Sequence, residues 1–318
     1  MTNTPEPPRA VNPASRGMTP AEWGMLGLLS VFWGGSFLFN GIALREVPVF
    51  SIVAFRVILG ALALHLLLRL SGIPFPVDAR SLRGYFGMAI LNGAVPFCLI
   101  VYGQTLIPSG LASILNATTP IFTMLLAHFL LAGERLDARR IGGVLLGFFG
   151  VFVLFSDKAM TGSGEWIGLL ACIAASLSYG LSNVYGRTYF ARDAHPFAMA
   201  TGQLTFAAVI MLPLALYFDR PFSAPWPGND AILALVMLAL VSTAAAYTLF
   251  FRILSRAGAT NVSLVTLLIP CSAILFGSVF LGESLGMREG AGFLVIALGL
   301  LVIDGRVIAR LGMGTRAA

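Results

Sequence analysis

The sequence predicts an all-α integral membrane protein: ten transmembrane helices arranged as two inverted five-helix repeats. Three observations carry this expectation. The 318 residues are 58% hydrophobic and 11% charged, with a mean hydropathy of +0.89, against about 25% charged in soluble domains. Pro120-Ile121 followed by Gly133-Glu134 recurs, roughly 150 residues later, as Pro270-Cys271 followed by Gly282-Glu283. An odd number of spans in each repeat makes the two halves cross the bilayer in opposite senses, and the basic residues agree with that.

Spans of about 20 residues, rising 1.5 Å per residue, cover about 30 Å of hydrocarbon. They fall at 22–43, 49–69, 84–104, 109–131 and 138–155, then at 165–186, 197–217, 231–251, 259–281 and 289–304. With the N-terminus inside, 15 Arg/Lys lie in inside segments and four outside, the latter being Arg45, Lys158, Arg220 and Arg288. That bias sets orientation and puts both termini in the cytoplasm. The charge of +6 and pI near 9.6 are therefore topogenic, and no nucleic-acid partner is expected. Arg outnumbers Lys 19 to 1, which points to a bacterium and its inner membrane. Residues 1–20 form a Pro-rich disordered cytoplasmic tail, 21–155 the first repeat, 156–164 a Gly/Ser-containing linker, 165–306 the second repeat and 307–318 a cytoplasmic tail. No signal peptide is expected.

In span 1, Trp33, Ser36 and Asn40 are spaced i, i+3, i+7 and share one face. Span 2 carries Arg56, the one cation well within a span, about eight residues from its outer end. A buried Arg costs roughly 2.5–3.5 kcal/mol on insertion scales and faces the bundle interior. It either clamps a substrate carboxylate in bidentate fashion or bonds neighbouring helix carbonyls. Span 3 holds Asn92 and Pro96; span 4 holds Asn116 and Pro120. Each proline frees the carbonyl four residues earlier, so Asn92 and Asn116 lose a backbone partner. In the second half Pro270 frees Thr266 in span 9, and Pro213 in span 7 frees Val209. A carbonyl unpaired in lipid costs several kcal/mol. These kinked helices either offer acceptors to a wet cavity or are rescued by nearby hydroxyls.

Span 5 has a small-residue face (Gly143, Gly147, Gly150), and span 10 another (Gly290, Gly292). Both suit helix packing, with use as a homodimer face through spans 5 and 10 left open. Span 6 carries Tyr179, Ser182 and Asn183; span 7, Gln203 and Thr205; span 8, Ser242, Thr243 and Tyr247. Such polar and aromatic faces either line an aqueous cavity or act as interhelical hydrogen-bond glue worth about 0.6 kcal/mol per contact. The Trp33 and Tyr179 rings are placed to sandwich a planar group. Glu134 and Glu283 follow spans 4 and 9, where they anchor a helix N-terminus or serve gating and proton coupling. His128 and His65 lie in spans 4 and 2, either bonded and neutral or carrying protons. Cys98, Cys172 and Cys271 fall in spans without metal or disulfide spacing, and no metal or cofactor is expected.

Trp33-Gly34-Gly35-Ser36-Phe37, Phe55-Arg56 and the repeated Pro…Gly-Glu segment resemble the drug/metabolite transporter superfamily, more narrowly its ten-helix members built from two EamA-type domains. The resemblance covers about residues 22–305. It implies a central cavity between helices 1–4 and 6–9, with helices 5 and 10 peripheral, and often export. Tyr179 and Leu181 replace Trp33 and Gly35 in the second half, and Gln203 is the nearest counterpart of Arg56. The expected function is transport of a small metabolite, such as an amino acid or related compound, by alternating access. A passive channel and an intramembrane enzyme are the alternatives. Against an enzyme, no carboxylate lies deep in a span, and the match of Gly282-Glu283-Ser284-Leu285-Gly286 to a Gly-x-Ser-x-Gly elbow lacks the strand–turn–helix context that motif requires.

Overall fold

The computed structural model describes residues 18–132, 134, 136–158, 164–189, 195–223 and 225–304. Ten helical elements follow one another among the described residues, the first eight long and apolar enough to cross a membrane: α1 (Pro20–Ala43), α2 (Val49–Leu70), α3 (Ala79–Gln104), α4 (Ser109–Leu130), α5 (Ala138–Lys158), α6 (Glu165–Tyr189), α7 (Pro196–Leu214), α8 (Asn229–Ala257), α9 (259–281) and α10 (Met287–Asp304). The chain is an all-α multi-pass membrane protein. Several helices outrun their expected spans: α3 begins at Ala79, capped by Asp78, and α8 continues to Ala257. α1 starts at Pro20 because Thr19 and Glu22 form a reciprocal capping box, satisfying two of the amides a helix start leaves unpaired. The proposed linker begins inside α5, which runs to Lys158. Its residues 159–163 and most of both tails lie outside the described residues, as does Gly133 of the repeated motif.

The prolines break or bend the helices where the sequence places them. α4 turns at Ala117-Thr118 and resumes at Thr119, with Pro120 in the first turn of the new segment. α9 likewise turns at Ser263-Leu264 before Val265–Phe276, which contains Pro270. α3 and α8 each carry a π-helical turn at a matching position, Ala89–Ala94 and Leu240–Ala245. Further π turns end α7 (Ala215–Asp219) and α9 (Gly277–Leu281).

Glycines on matching faces let helices of the two halves cross closely. A Cβ on Gly34 of α1 would meet Ser272 of α9, and one on Gly180 of α6 would come 2.9 Å from Phe122 Cβ of α4. Gly34 aligns with Gly180, and Phe122 with Ser272, so the two crossings are one contact built twice. The halves are therefore interleaved: α1 packs on α9, α6 on α4, and α2 on α7. Two apolar clusters result. One joins α1 with α4, α5, α6, α9, α10 and the second part of α8; the other joins α2, α3, α7 and the first part of α8, and Tyr179 packs against both.

α5 and α10 pack on each other at the periphery. A Cβ on Gly143 would lie 2.7 Å from the Gly299 carbonyl oxygen, and one on Gly150 2.9 Å from that of Gly292. Gly143, Gly150 and Gly292 thus serve packing within one chain, while a Cβ on Gly290 would have nothing within 4 Å. Lipid is left to large side chains such as Leu145, Phe149, Phe152 and Leu294, all exposed. Gly143→Leu is expected to destabilise the protein by about 1–3 kcal/mol through overpacking. Gly142→Ala, with nothing within 4 Å of its Cβ, should leave stability unchanged or raised. Detergent-solubilised melting curves of the two variants compare them directly.

Candidate functional site

At the centre of the bundle the two π turns each present a polar side chain to a helix of the other half. Thr243, in the π turn of α8, accepts from Arg56 Nε of α2 at 2.9 Å and donates to the Leu238 carbonyl at 2.9 Å. That second bond ties the side chain back to its own helix just ahead of the π turn. Asn92, in the π turn of α3, donates from Nδ2 to Gln203 Oε1 of α7 at 3.1 Å. Gln203 is the counterpart of Arg56, so Arg56–Thr243 and Gln203–Asn92 are repeat-related pairs. One pair carries a charge and the other does not.

Around the neutral pair, Asn92 and Gln203 both donate to Tyr247 Oη, at 3.3 and 2.8 Å. The Ser182 hydroxyl lies 3.2 Å from Asn92 Oδ1. Helices α3, α6, α7 and α8 are joined there by four side chains the sequence had selected. Around the charged pair, the Arg56 guanidinium sits 3.7 Å over the Phe97 ring, a cation–π shelf. Arg56 is only 7% exposed. Its Nη1 and Nη2 make no hydrogen bond and no ion pair among the described residues, and they are not among the sealed polar atoms that lack a partner. The expectation that Arg56 bonds helix carbonyls does not hold, since Nε takes a hydroxyl and the fork is left open.

Other selected residues lie elsewhere. Asn40 is buried at the arginine-poor end, donating to Gln104 Oε1 at 2.9 Å. Gln104 in turn donates to the Phe37 carbonyl and to Ser109 Oγ, both at 2.8 Å. Ser36 bonds its own helix at the Trp33 carbonyl. Trp33 pairs with Phe250 of α8, ring centroids 5.5 Å apart. Asn183 donates to Thr123 of α4. The Asn116 carbonyl freed by Pro120 accepts from the Thr119 hydroxyl at 2.8 Å, the hydroxyl rescue rather than a cavity acceptor, while Asn116 Oδ1 is buried without a partner. Thr266 bonds back to Ser263, beside the break before Pro270. Pro96 follows the π turn of α3 directly.

The carboxylates outside the spans hold helix ends. Glu283 accepts from the Ser109 and Gly110 amides that open α4, at 2.9 and 3.3 Å. Asp219 accepts from the Ser51 amide at 2.6 Å, and Glu46 from the Gly228 amide at 2.6 Å. All three bonds span the two halves at the arginine-poor end, where α4 and α9 pack through Ser109–Asn116 and Val265–Phe276. A cavity of ≈ 330 Å³ lies beside them, lined by Gly110, Ile274 and Glu283 among others. At the other end Glu134 pairs with Arg187 of α6 at 3.0 Å, and His128 Nδ1 lies 2.9 Å from the Glu134 carbonyl. The repeat-related glutamates are thus used differently: Glu283 locks α4 and α9 together, whereas Glu134 ties α4 to α6. Gln104, Phe97, Phe250, Glu46 and Asp219 were not selected from sequence. Apart from Ser109, which follows Gln104 by five residues, the partners named for them lie in or at the start of other helices, the nearest being Arg56 for Phe97, so local spacing holds no trace of them.

The EamA-like transporter family matches residues 22–156 and again 166–304. An uncharacterized transporter of Bacillus subtilis, YoaV, is 27% identical over 281 residues, covering 87% of this chain and 95% of its own. A probable amino-acid metabolite efflux pump of Escherichia coli is 26% identical, covering 88% and 93% respectively. A protein of the same description in Salmonella typhimurium is 28% identical over 88% of this chain and 93% of its own. A crystal structure at 19% identity superposes with a TM-score of 0.62 over 93% of this chain and all of its own, a likeness of fold.

The Glu283 lock is checked in a cysteine-free background (Cys98, Cys172 and Cys271 replaced by Ala) carrying Ser109→Cys. A membrane-impermeant maleimide should label this cysteine poorly, and Glu283→Ala should raise labelling several-fold. Equal labelling would remove the lock.

Proposed function

Because the chain belongs to the EamA-like transporter family, we propose that this multi-pass membrane transporter moves a small carboxylate-bearing metabolite, an amino acid or related compound, by alternating access. The observation that carries this reading is Arg56: a cation about 10 Å into its helix at 1.5 Å per residue, with its two outer nitrogens unpaired. An uncompensated charge at such depth costs several kcal/mol. A bidentate carboxylate supplies the missing partner at the moment of binding. Trp33, Tyr179 and Phe250 provide apolar walls for the rest of the molecule.

Export from a bacterial cytoplasm, with both termini cytoplasmic in the inner membrane, is supported by the arginine bias and by relatives named as efflux pumps. In that orientation the Glu283 contacts hold α4 and α9 together at the outer end. The interleaved packing supports moving bodies that mix the repeats, α4 with α6 against α9 with α1. Breaks at 117–118 and 263–264 let each broken helix bend at one end while staying packed at the other. His128 and Glu134 are engaged with each other's segment and with Arg187, which supports a structural role and facilitated or exchange transport over proton coupling.

Protein reconstituted in liposomes should take up a radiolabelled carboxylate metabolite with saturable kinetics, and Arg56→Gln should lower uptake by about 10- to 100-fold, the worth of a charged hydrogen-bonded pair at about 1.5–3 kcal/mol. Unsaturable flux with ion conductance would favour a channel. Reporter fusions to the two termini should both respond from the cytoplasm.

A further inference from the structure

We propose that the central site selects net anions: it takes the carboxylate without an accompanying ammonium, as in a 2-oxo, 2-hydroxy or N-acyl acid, in preference to the parent zwitterionic amino acid. This rests on the reading of Arg56 as the carboxylate clamp and goes further by asking what the site offers a second charge.

An ammonium group brings donors and a positive charge, so it needs acceptors, ideally a carboxylate. Among the described residues the carboxylates are committed to helix ends: Glu46 and Asp219 to amides of the opposite half, Glu283 to α4, Glu134 to Arg187. None reaches the central group. The amide, phenol and Thr243 oxygens that lie there each already face a donor, and none is charged. Asn92 Oδ1 faces the Ser182 hydroxyl, Gln203 Oε1 takes an Asn92 N–H, and Thr243 Oγ1 takes Arg56 Nε. Tyr247 Oη receives two N–H donors, one each from Asn92 and Gln203. With its oxygen so occupied, the Tyr247 hydroxyl hydrogen must turn outward from the pair.

What remains unspent is mainly a set of donors: Arg56 Nη1 and Nη2, the Tyr247 O–H and the Tyr179 hydroxyl, with the buried Ser242 hydroxyl beside Thr243 the one neutral group that could also accept. Both tyrosine hydroxyls lie within electrostatic reach of Arg56. The site therefore carries one formal positive charge, surrounded by O–H and N–H groups that complement an anion. A monoanion brings the buried charge to zero. A zwitterion leaves it at +1 and strands its ammonium beside a guanidinium, a like-charge juxtaposition that disfavours binding.

The experiment compares matched pairs on purified wild-type protein: alanine with pyruvate, leucine with its 2-oxo acid and with N-acetylleucine, phenylalanine with phenylpyruvate and with N-acetylphenylalanine. Thermal-shift titration gives apparent Kd, and counterflow in liposomes confirms transport. For the side chain that fits, the anions should bind at least about tenfold more tightly than the zwitterion. Arg56→Gln, checked for monodispersity, should abolish that preference, and Arg56→Lys should retain the preference at reduced affinity. Equal or tighter binding of the zwitterion, lost in Arg56→Gln, would overturn the proposal while leaving the carboxylate clamp standing. Binding of either class unaffected by Arg56→Gln would overturn both, as would an absence of binding by every pair.

Discussion

Inside a bilayer no water is available to satisfy a backbone group, and this constraint shapes the whole interior of the protein. Each departure from a regular helix has to be met by a side chain. The Pro120 break is met by Thr119 on the Asn116 carbonyl. The π turn of α8 is met by Thr243 on Leu238, and the π turn of α3 by Ser178 of α6 on the Leu91 carbonyl at 2.8 Å. The irregular turns cost little because they are closed in this way. They also widen the helix where Thr243 and Asn92 stand, and so bring those side chains to Arg56 and Gln203. The proposed binding site thus follows from how the backbone is satisfied inside the bundle.

The duplication explains both the regularity of this centre and its bias. Two equivalent helix pairs meet there through equivalent turns, yet the first half contributes a guanidinium where the second contributes an amide. A symmetric pair of sites would bind two like groups. The unequal pair instead has a charged pole under Arg56 and a hydrogen-bonded neutral pole under Asn92, Gln203 and Tyr247. The neutral pole is cross-bonded and holds four helices together, with Tyr247 shared between that glue and the donors turned toward the charged pole. At the ends the same duplication is resolved in opposite ways, with Glu283 joining α4 to α9 and Glu134 joining α4 to α6.

Much of this was legible in the chain. The spans and the repeat follow from apolar length and motif spacing, which are local properties, whereas the peripheral place of α5 and α10 came from the family resemblance and their packing on each other from the structure. Arg56 and Gln203 stood out as polar residues in apolar surroundings, and Asn92, Ser182, Thr243 and Tyr247 came with them. The π turns were not legible, because they arise from contacts between helices rather than from any residue's own preference. Asn40 shares a helical face with Trp33 and Ser36, but a face states a direction and not a depth, and Asn40 lies where the bundle is sealed. The ring facing Trp33 comes from Phe250, more than 200 residues away in the chain, beyond the reach of periodicity. Glu46 and Asp219 read as ordinary surface carboxylates until the helix ends they cap are brought beside them.

The claim on which the rest turns is that the open fork of Arg56 receives the substrate's carboxylate. It is tested most directly by an experimental structure with a transported carboxylate bound. The account predicts a carboxylate oxygen about 2.7–2.9 Å from each of Nη1 and Nη2 of Arg56, the span of charge-assisted hydrogen bonds, with the Phe97 shelf and Thr243 contact kept. A ligand bound away from Arg56, with the guanidinium turned onto helix carbonyls, would contradict it.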